Sequence, residues 1–549
     1  MNKKELEKKI LAYALDNAVS HNGEAVASSV VNHLFREGLK KEELKDVMLV
    51  VQRIVNEVNN MELDEQKKRF NELNIELKKF EQKEKELTEL PNVSENMVFR
   101  LAPYPSGDLH IGNAKTYILN ALYAEKYKGR IILVIDDTIG SKEKQIAPDA
   151  YKLIPASLKW LNIKFDKKIV YKSDRLDLYY QYAEKIIELG HAYVCTCPAD
   201  IMRKNKMGGK ECEHRNLPIK EQKQRWKEMF HMKEGSATLR IKTDMKHENP
   251  AFRDRVLFRI SERAHPRAKK KYRVWPLLEF SWAIDDVLLG ITHVIRGKDL
   301  MIETEMEKYI WKIFGWKGPV IVHSGLVNIE GIKLSKSKAQ HEVETGKYFG
   351  WDDPRTWGIH SLKRRGFKPE ALKQFVFGIG LNQNDITVPV DVFYSINRKL
   401  IDKETDRYSF VESPQRLDIS GIPKEASIPV HPEKKEKRKI KLGKHVYIAK
   451  KDYEMFKGKE IRLMHLCNII LDDKPRITSI ERKELPVVNW VSNGVKTKVL
   501  MDDSTRKTGI AESDIKKLKL GSVIQFERNF FCRFDRRNKD AYEFWFTHW

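Results

Sequence analysis

The sequence predicts a multidomain chain whose centre is an α/β domain of parallel strands. Three observations lead there. Met97 to Ile135 reads as strand, Pro/Gly turn, helix and strand, which is a βαβ unit and requires a parallel sheet. The same apolar pattern stops near 195 and resumes at Gly290-Ile-Thr-His-Val-Ile-Arg296, so a separate segment interrupts the domain. Beyond residue 386 the pattern changes to short strand-like runs divided by turns, as in a β-barrel or sandwich.

Residues 1–90 read as a helical appendage. Leu44, Val47, Met48, Val51, Ile54, Val55 and Val58 recur at helical spacing and make one apolar face. His21-Asn22-Gly23 and Glu37-Gly38 are turn signals between short helices. The charged stretch from Leu63 to Glu89 is expected as an exposed helix or a linker. Residues 91–194 form the first half of the α/β domain. Met97–Ala102 and Ile131–Ile135 are its strands, and Asn113–Lys126 is the helix between them. In such Rossmann-type sheets ligands gather at the carboxyl ends of the strands, where His110 and the Asp136-Asp137-Thr138 run both fall.

Residues 195–289 are the insertion, rich in Lys, Arg and Met. Residues 290–345 complete the α/β domain, with Val320–His323 as a further strand. A basic helical region follows over 346–385, and strands fill 386–549, in runs such as His445–Ala449, Glu460–Leu471, Val487–Val491, Thr497–Met501 and Ser522–Phe534. The tail mixes aromatics with basic residues from Phe530 to Phe546, a composition that could stack on single-stranded bases or close an aromatic core.

Composition narrows the partners. Lys and Arg number 102 against 78 Asp and Glu, a formal charge of +24, which favours a polyanion such as nucleic acid. A hot or salt-rich habitat would also raise the content of both charge signs. The chain has no apolar run long enough to span a bilayer, and its first residues are too charged for a signal peptide. Five cysteines in 549 residues exclude a disulfide scaffold, so a cytoplasmic protein without membrane attachment is expected.

Two motifs carry the chemistry. The first is Arg100-Leu-Ala-Pro-Tyr-Pro-Ser-Gly-Asp-Leu-His110-Ile-Gly112-Asn113; the second is Lys333-Leu-Ser-Lys336-Ser337. A helix opening near Asn113 leaves backbone N–H groups unpaired and holds phosphate well. Gly112 lacks a Cβ, so a flat base could stack on its backbone. Lys333 and Lys336 on a small loop could close over a triphosphate and neutralise charge that builds in the transition state. Either motif alone is commonplace; in this order they describe one site for a nucleoside triphosphate.

Cys195-Thr-Cys197 and, after fourteen residues, Cys212-Glu-His214 form two knuckles with the donor set of a tetrahedral structural zinc site. The competing reading is two unrelated pairs in a Lys-rich insertion. Three of the five cysteines lie within eighteen residues, and Gly208-Gly209 permits the turn between the knuckles.

The paired motifs resemble the signatures of class I aminoacyl-tRNA synthetases. Further stretches sharpen the resemblance: Ile135-Asp-Asp-Thr138, Val274-Trp-Pro-Leu-Leu-Glu-Phe280, Ile284-Asp-Asp286 and Gly350-Trp-Asp-Asp-Pro-Arg355. Together with the helical leader and strand-rich tail, they make the chain similar to archaeal-type glutamyl-tRNA synthetases. The resemblance implies ATP-dependent attachment of L-glutamate to tRNA(Glu), and also to tRNA(Gln), through a glutamyl-adenylate. It implies His110, Asn113, Lys333 and Lys336 as catalytic residues. ATP, bound with Mg²⁺, would meet Pro103, Pro105, Gly107, His110, Gly112, Lys333, Ser335, Lys336 and Ser337. Glutamate would meet Arg100, Asp136 and Arg296, and the zinc would staple an insertion that contacts the acceptor end of tRNA. The strand-rich tail would bind the anticodon and the helical region the tRNA stem.

Arg296 stands where glutaminyl enzymes carry a small uncharged residue, and it favours a side-chain carboxylate. Which arginine meets which carboxylate is left open by the sequence. The chain departs from the family's pattern at Val134, Ile139, Gly140, Leu278 and Asn113. A glutaminyl-tRNA synthetase and a nucleotidylyltransferase are the competing functions. A monomer is expected, and the N-terminal helices could dock a protein partner.

Overall fold

The computed structural model describes residues 3–20, 23–37, 39, 43–73, 77, 86–140, 145–332, 334 and 336–549, without the side chains of 3, 4, 36, 45, 46, 336 and 337. Residues Met1–Glu86 and Leu87–Trp549 form two compact units.

The first unit contains helices α1 (Lys3–Ser20), α2 (Ala27–Arg36), α3 (Leu44–Asn59) and α4 (Leu63–Glu72). The predicted apolar face of α3 meets Ile10, Tyr13, Leu15, Ala18, Val30 and Leu34 in one core. Helix α4 is mostly charged, yet its Gln66 is fully buried. The Gln66 amide donates to the carbonyls of Gly23 and Val58 at 2.9 Å and of Met61 at 3.2 Å, which ties α4 to the chain turns beside it and gives the buried amide its partners. Residues 21, 22 and 38 of the predicted turns lie outside the described residues.

The second unit opens with β1 (Val98–Leu101), α5 (Ile111–Lys126), β2 (Arg130–Ile135), α6 (Ala150–Trp160), β3 (Val170–Tyr171) and α7 (Leu176–Glu188). An antiparallel sheet then interrupts it: β4 (Ala192–Cys195), α8 (Ala199–Gly208), α9 (Ile219–Met229), β5 (Thr238–Ile241), β6 (Val256–Ile260) and β7 (Val274–Pro276). The main sheet resumes after α10 (Leu278–Leu288) with β8 (His293–Gly297), α11 (Met301–Phe314) and β9 (Val320–Ser324). Its five parallel strands run in the order β3-β2-β1-β8-β9. Phe99, Leu101, Ile131 and Leu133 bury one face and Val98, Ile132, Val134 and Val294 the other, as expected of a parallel sheet covered on both sides. The chain leaves β1 towards β2 and returns to its other side at β8, so the switch point opens beside β1.

β10 (Val327–Ile329), α12 (Lys336–Glu344), α13 (Ile359–Arg365), α14 (Pro369–Ile379), β11 (Ile386–Val388) and α15 (Val390–Ile401) follow. The expectation of strands from 386 onwards is corrected here. β11 pairs in parallel with β10, and residues 390–401 are helical. Val388, Val390 and Val392 alternate as in a strand, but Phe393, Tyr394, Asn397 and Ile401 bury one helical face, and Phe393 stacks on Phe367. Tertiary packing overrides local β propensity.

Strands dominate only from Arg407. A seven-stranded sheet is bounded by Arg407–Tyr408 and Phe410–Glu412, so its two edges come from segments separated by Ser409 alone and the sheet curls upon itself. Its core holds Phe410, Phe526, Phe530, Phe534, Phe544 and Phe546. A second β unit, with Ile428, Ile440, Ile448, Ile461, Ile469 and Trp490 in its core, is inserted after Phe410–Glu412. The Glu460–Leu471 run is a hairpin of Glu460–Leu463 with Asn468–Ile470. The aromatic residues from Phe530 to Phe546 are buried, so they build the core and offer no faces to bases, while the terminal Trp549 is exposed. Among the described residues no helix is long and apolar enough to cross a membrane.

Candidate active site

The carboxyl ends of four adjacent parallel strands bring the chemistry together. Arg100 lies on β1, Asp136 follows β2, Lys172 follows β3 and Arg296 lies on β8. The backbone N–H of Asp136 donates to the Pro103 carbonyl at 3.1 Å, tying the ends of β1 and β2. The Pro105 carbonyl likewise accepts from Ala147 at 2.9 Å.

His110 caps α5. Its extended backbone (φ −109°, ψ 164°) precedes the helix, and its ring Nδ1 lies 3.1 Å from the N–H of Gly112 and 3.4 Å from that of Asn113. Asn113 returns the bond, its Oδ1 accepting from the His110 N–H at 2.9 Å. This reciprocal cap makes Nδ1 an acceptor and fixes the imidazole at the helix start, where a phosphate would bind. The Asn113 amide lies 3.1 Å from Nε2.

The motif is clamped from behind. The carbonyl of Leu109 accepts from Ile359 at 2.8 Å, and Trp357 accepts from Ile111 at 3.2 Å. Asp108 receives Ser157 Oγ at 2.6 Å and the His360 N–H at 2.9 Å, with His360 Nδ1 at 3.0 Å. Burial opposes the charge of His360, but the hydrogen bond and charge of Asp108 outweigh it and raise its pKa. Gly107 adopts φ +146°, and a Cβ there would stand 2.0 Å from the Trp351 ring. No residue other than glycine fits beneath that indole.

The second motif reaches the first. A Cβ on Gly112 would lie 3.1 Å from Leu334 Cδ1 and 3.1 Å from the His110 ring. Leu334 and Ile332 pack on the same core as Leu109 and Ile111. Lys333 and Ser335 lie outside the described residues, as do the side chains of Lys336 and Ser337; the backbone of 336 and 337 begins α12.

Beside β1 lies a chamber of charges around Trp282. Arg100, Lys172 and Arg296 stand 4.6, 5.1 and 5.1 Å from its ring centroid. Each cation meets a carboxylate. Arg100 binds Asp286 through Nε and, at 3.0 Å, through Nη2. Arg296 binds Glu307 at 2.8 and 3.1 Å and also reaches Thr304. Lys172 meets Asp136 at 3.1 Å. Burial works against charge on Arg100, yet Asp286 holds it firmly protonated. Burial also pushes the Glu307 carboxyl up to about 7, against the pull of Arg296. Three buried polar atoms here have no partner among the described residues: Asp136 Oδ2, Arg296 Nε and Trp282 Nε1. Buried polar atoms are rarely left so, and a polar ligand would complete them. The sequence assigned no site role to Lys172, Trp282 and Glu307, or to Asp286 beyond its place in the Ile284-Asp-Asp286 stretch. Lys172 directly follows the end of β3, a strand too short to show in the sequence pattern.

The insertion brings the knuckles together. The ligand atoms of Cys195, Cys197, Cys212 and His214 all lie within 4.8 Å of one another. Cys212 Sγ is 3.5 Å from Cys195 Sγ, 3.3 Å from Cys197 Sγ and 3.2 Å from His214 Nδ1. Tetrahedral zinc, with bonds of about 2.3 Å to sulfur and about 2.0 Å to nitrogen, spaces its ligand atoms about 3.5–3.8 Å apart. The donor set therefore fits with small adjustments. Thr196 Oγ1 lies 2.9 Å from His214 Nε2 and orients the ring with Nδ1 towards the sulfurs.

Family models and curated relatives match most of the chain. Residues 96–403 match the family described as tRNA synthetases class I (E and Q), catalytic domain. Residues 405–485 and 487–535 match two models described as the anti-codon binding domain of the same class. The chain is 40% identical to a glutamate–tRNA ligase of Methanocaldococcus jannaschii, over 99% of this chain and 100% of that one. It is 41% identical to the glutamate–tRNA ligases of Pyrococcus abyssi, over 97% and 98%, and of Pyrococcus furiosus, over 98% and 98%.

Proposed function

Because the chain belongs to the class I tRNA synthetases of the glutamate and glutamine group, we propose that it is a glutamate–tRNA ligase working through a glutamyl-adenylate. The observation that carries this reading is the chamber at the strand ends, where Arg100, Arg296 and the half-paired Asp136 stand beside the helix capped by His110. A diacid with one ammonium suits two guanidinium groups and one carboxylate acceptor.

In the first step an oxygen of the glutamate α-carboxylate attacks the α-phosphorus of ATP. A new P–O bond forms as the bond to the β-phosphate bridge breaks, and pyrophosphate leaves. In the second step a hydroxyl of the terminal adenosine of tRNA attacks the activated carbonyl and AMP departs. Such displacements depend on positioning and charge neutralisation. His110, the start of α5, Lys333 and Lys336 would supply these at the phosphates, with Pro103, Pro105, Gly107, Gly112, Ser335 and Ser337 shaping the ATP cradle. Asn113 holds the cap in place. Mg²⁺ accompanies ATP as part of the substrate. Cys195, Cys197, Cys212 and His214 would hold a structural zinc, which fixes the insertion and takes no part in the chemistry.

Arg296 favours glutamate over glutamine, since a buried guanidinium pairs better with a carboxylate than with an amide. By resemblance to the archaeal enzymes, both tRNA(Glu) and tRNA(Gln) are acceptors. Aminoacylation with labelled glutamate and each transcript tests this. Charging of both is expected; charging of tRNA(Glu) alone would refute the wider acceptor range, and failure with both would refute the function.

A further inference from the structure

We propose that Lys172 is a positioning residue for recognition of the substrate's α-ammonium, holding Asp136 through Oδ1 so that Oδ2 is presented to the ligand. The inference rests on the reading of the chamber as a glutamate pocket.

Lys172 and Asp136 occupy equivalent places on neighbouring strands. β2 and β3 are in register at Val134–Val170 and Ile135–Tyr171, so the next residue on each strand is Asp136 and Lys172. Their side chains are 1% and 0% exposed and meet at 3.1 Å. Two neighbouring side chains of α10 hold the ammonium. Lys172 Nζ donates to Ser281 Oγ on α10 at 2.8 Å, and it lies 5.1 Å from the Trp282 ring. Ser281 also lies within hydrogen-bond reach of the Leu278 carbonyl, at 3.1 Å, which orients its lone pairs towards Lys172.

A lysine this deep opposes its own burial. Its pKa is pulled below the usual lysine range by desolvation, against the attraction of Asp136 and Asp285. A purely structural pair in this position gains little over well-packed apolar side chains. The pair is also incomplete in a telling way. Asp136 Oδ1 has Lys172 and, at 3.2 Å, Thr138 Oγ1, whereas Oδ2 is buried with no partner among the described residues. One cation short, the carboxylate keeps a fixed acceptor for an incoming ammonium. Arg100 reaches the same chamber but is engaged by Asp286, which leaves Lys172 as the cation directly on Asp136.

The test compares glutamate with glutarate, a diacid lacking the ammonium, in glutamate-dependent pyrophosphate exchange with tRNA present. Lys172→Met should raise the KM for glutamate by about 10- to 100-fold, the range of a hydrogen bond to a charged group, while the inhibition constant of glutarate changes less than about twofold. KM for ATP should be unaffected. Lys172→Gln keeps a donor to Asp136 without the charge and should recover part of the loss; it carries the same comparison if the Met variant does not fold. Equal weakening of glutamate and glutarate would overturn the proposal by making Lys172 a carboxylate contact or a general support. An unchanged KM for glutamate would overturn it as well. Wild-type chain that failed to exchange with glutamate would instead refute the pocket itself.

Discussion

Glu307 grips Arg296 with both carboxylate oxygens, at 2.8 Å to Nη1 and 3.1 Å to Nη2, and neither side chain has appreciable contact with solvent. The cation assigned to the substrate side chain is thus held in place before any substrate arrives. Thr304 shares the guanidinium and itself lies 2.8 Å from His323 Nε2. The arrangement gives up net charge for a fixed geometry, and it leaves Arg296 Nε without a partner among the described residues.

The pair predicts a pH dependence. Burial raises the folded-state pKa of Glu307 to about 7, above its ordinary value of 4.5. The folded chain therefore binds this proton more tightly than the unfolded chain does. The resulting stability is present below 4.5 and is lost as pH rises through 7. Glu307→Gln removes the titration. Thermal melts of both proteins across this range should show the wild-type advantage shrinking as pH rises; parallel profiles would contradict the account.

Gly112 is the point where the two motifs touch. A methyl group there would stand 3.1 Å from both the His110 ring and Leu334, so one of them must shift. Small displacements of catalytic groups cost rate more than stability. Gly112→Ala should slow adenylate formation by about 10²-fold with little change in melting temperature. Stopped-flow or exchange kinetics beside a melt separates the two effects.

His360 supports the motif through Asp108. Its pKa is raised, so the stability of that pair is full below the unfolded-state value and fades as pH climbs through the folded-state one. His360→Gln should weaken this support and flatten the alkaline loss of stability. The measurement is the difference in melting temperature between the two proteins from mildly acidic to alkaline pH.

The cysteine cluster predicts about one zinc per chain by elemental analysis, since four donors of the right type converge. Cys212→Ser should release it, because Cys212 Sγ neighbours all three other donors. Hydrogen exchange near Cys195–Asn216 should then rise while the parallel sheet stays protected.

The parts of the site legible in the sequence are those with a local signature. A strand followed by a Pro/Gly turn placed His110 at a helix start, and the structure makes it the cap of α5. Asp136 followed from the next strand end. The knuckles followed from Cys and His spacing, and their side chains do converge. Lys172 escaped because β3 is only two residues long and shows no periodicity. Trp282, Asp286 and Glu307 escaped because they sit on buried helices whose polar residues look like exposed faces in one dimension. Helix α15 was hidden behind alternating valines. In each case the deciding contact is distant in sequence, and no local pattern records it.

The most direct measurement is glutamate-dependent ATP–pyrophosphate exchange in the presence of tRNA, for the wild-type chain and for Lys336→Ala. Exchange with glutamate and little with glutamine is expected, and the substitution should lower it by roughly 10²- to 10³-fold, the scale of losing one preorganised stabilising group, while tRNA affinity is largely kept. A preference for glutamine, or exchange by the variant at the wild-type rate, would contradict the account.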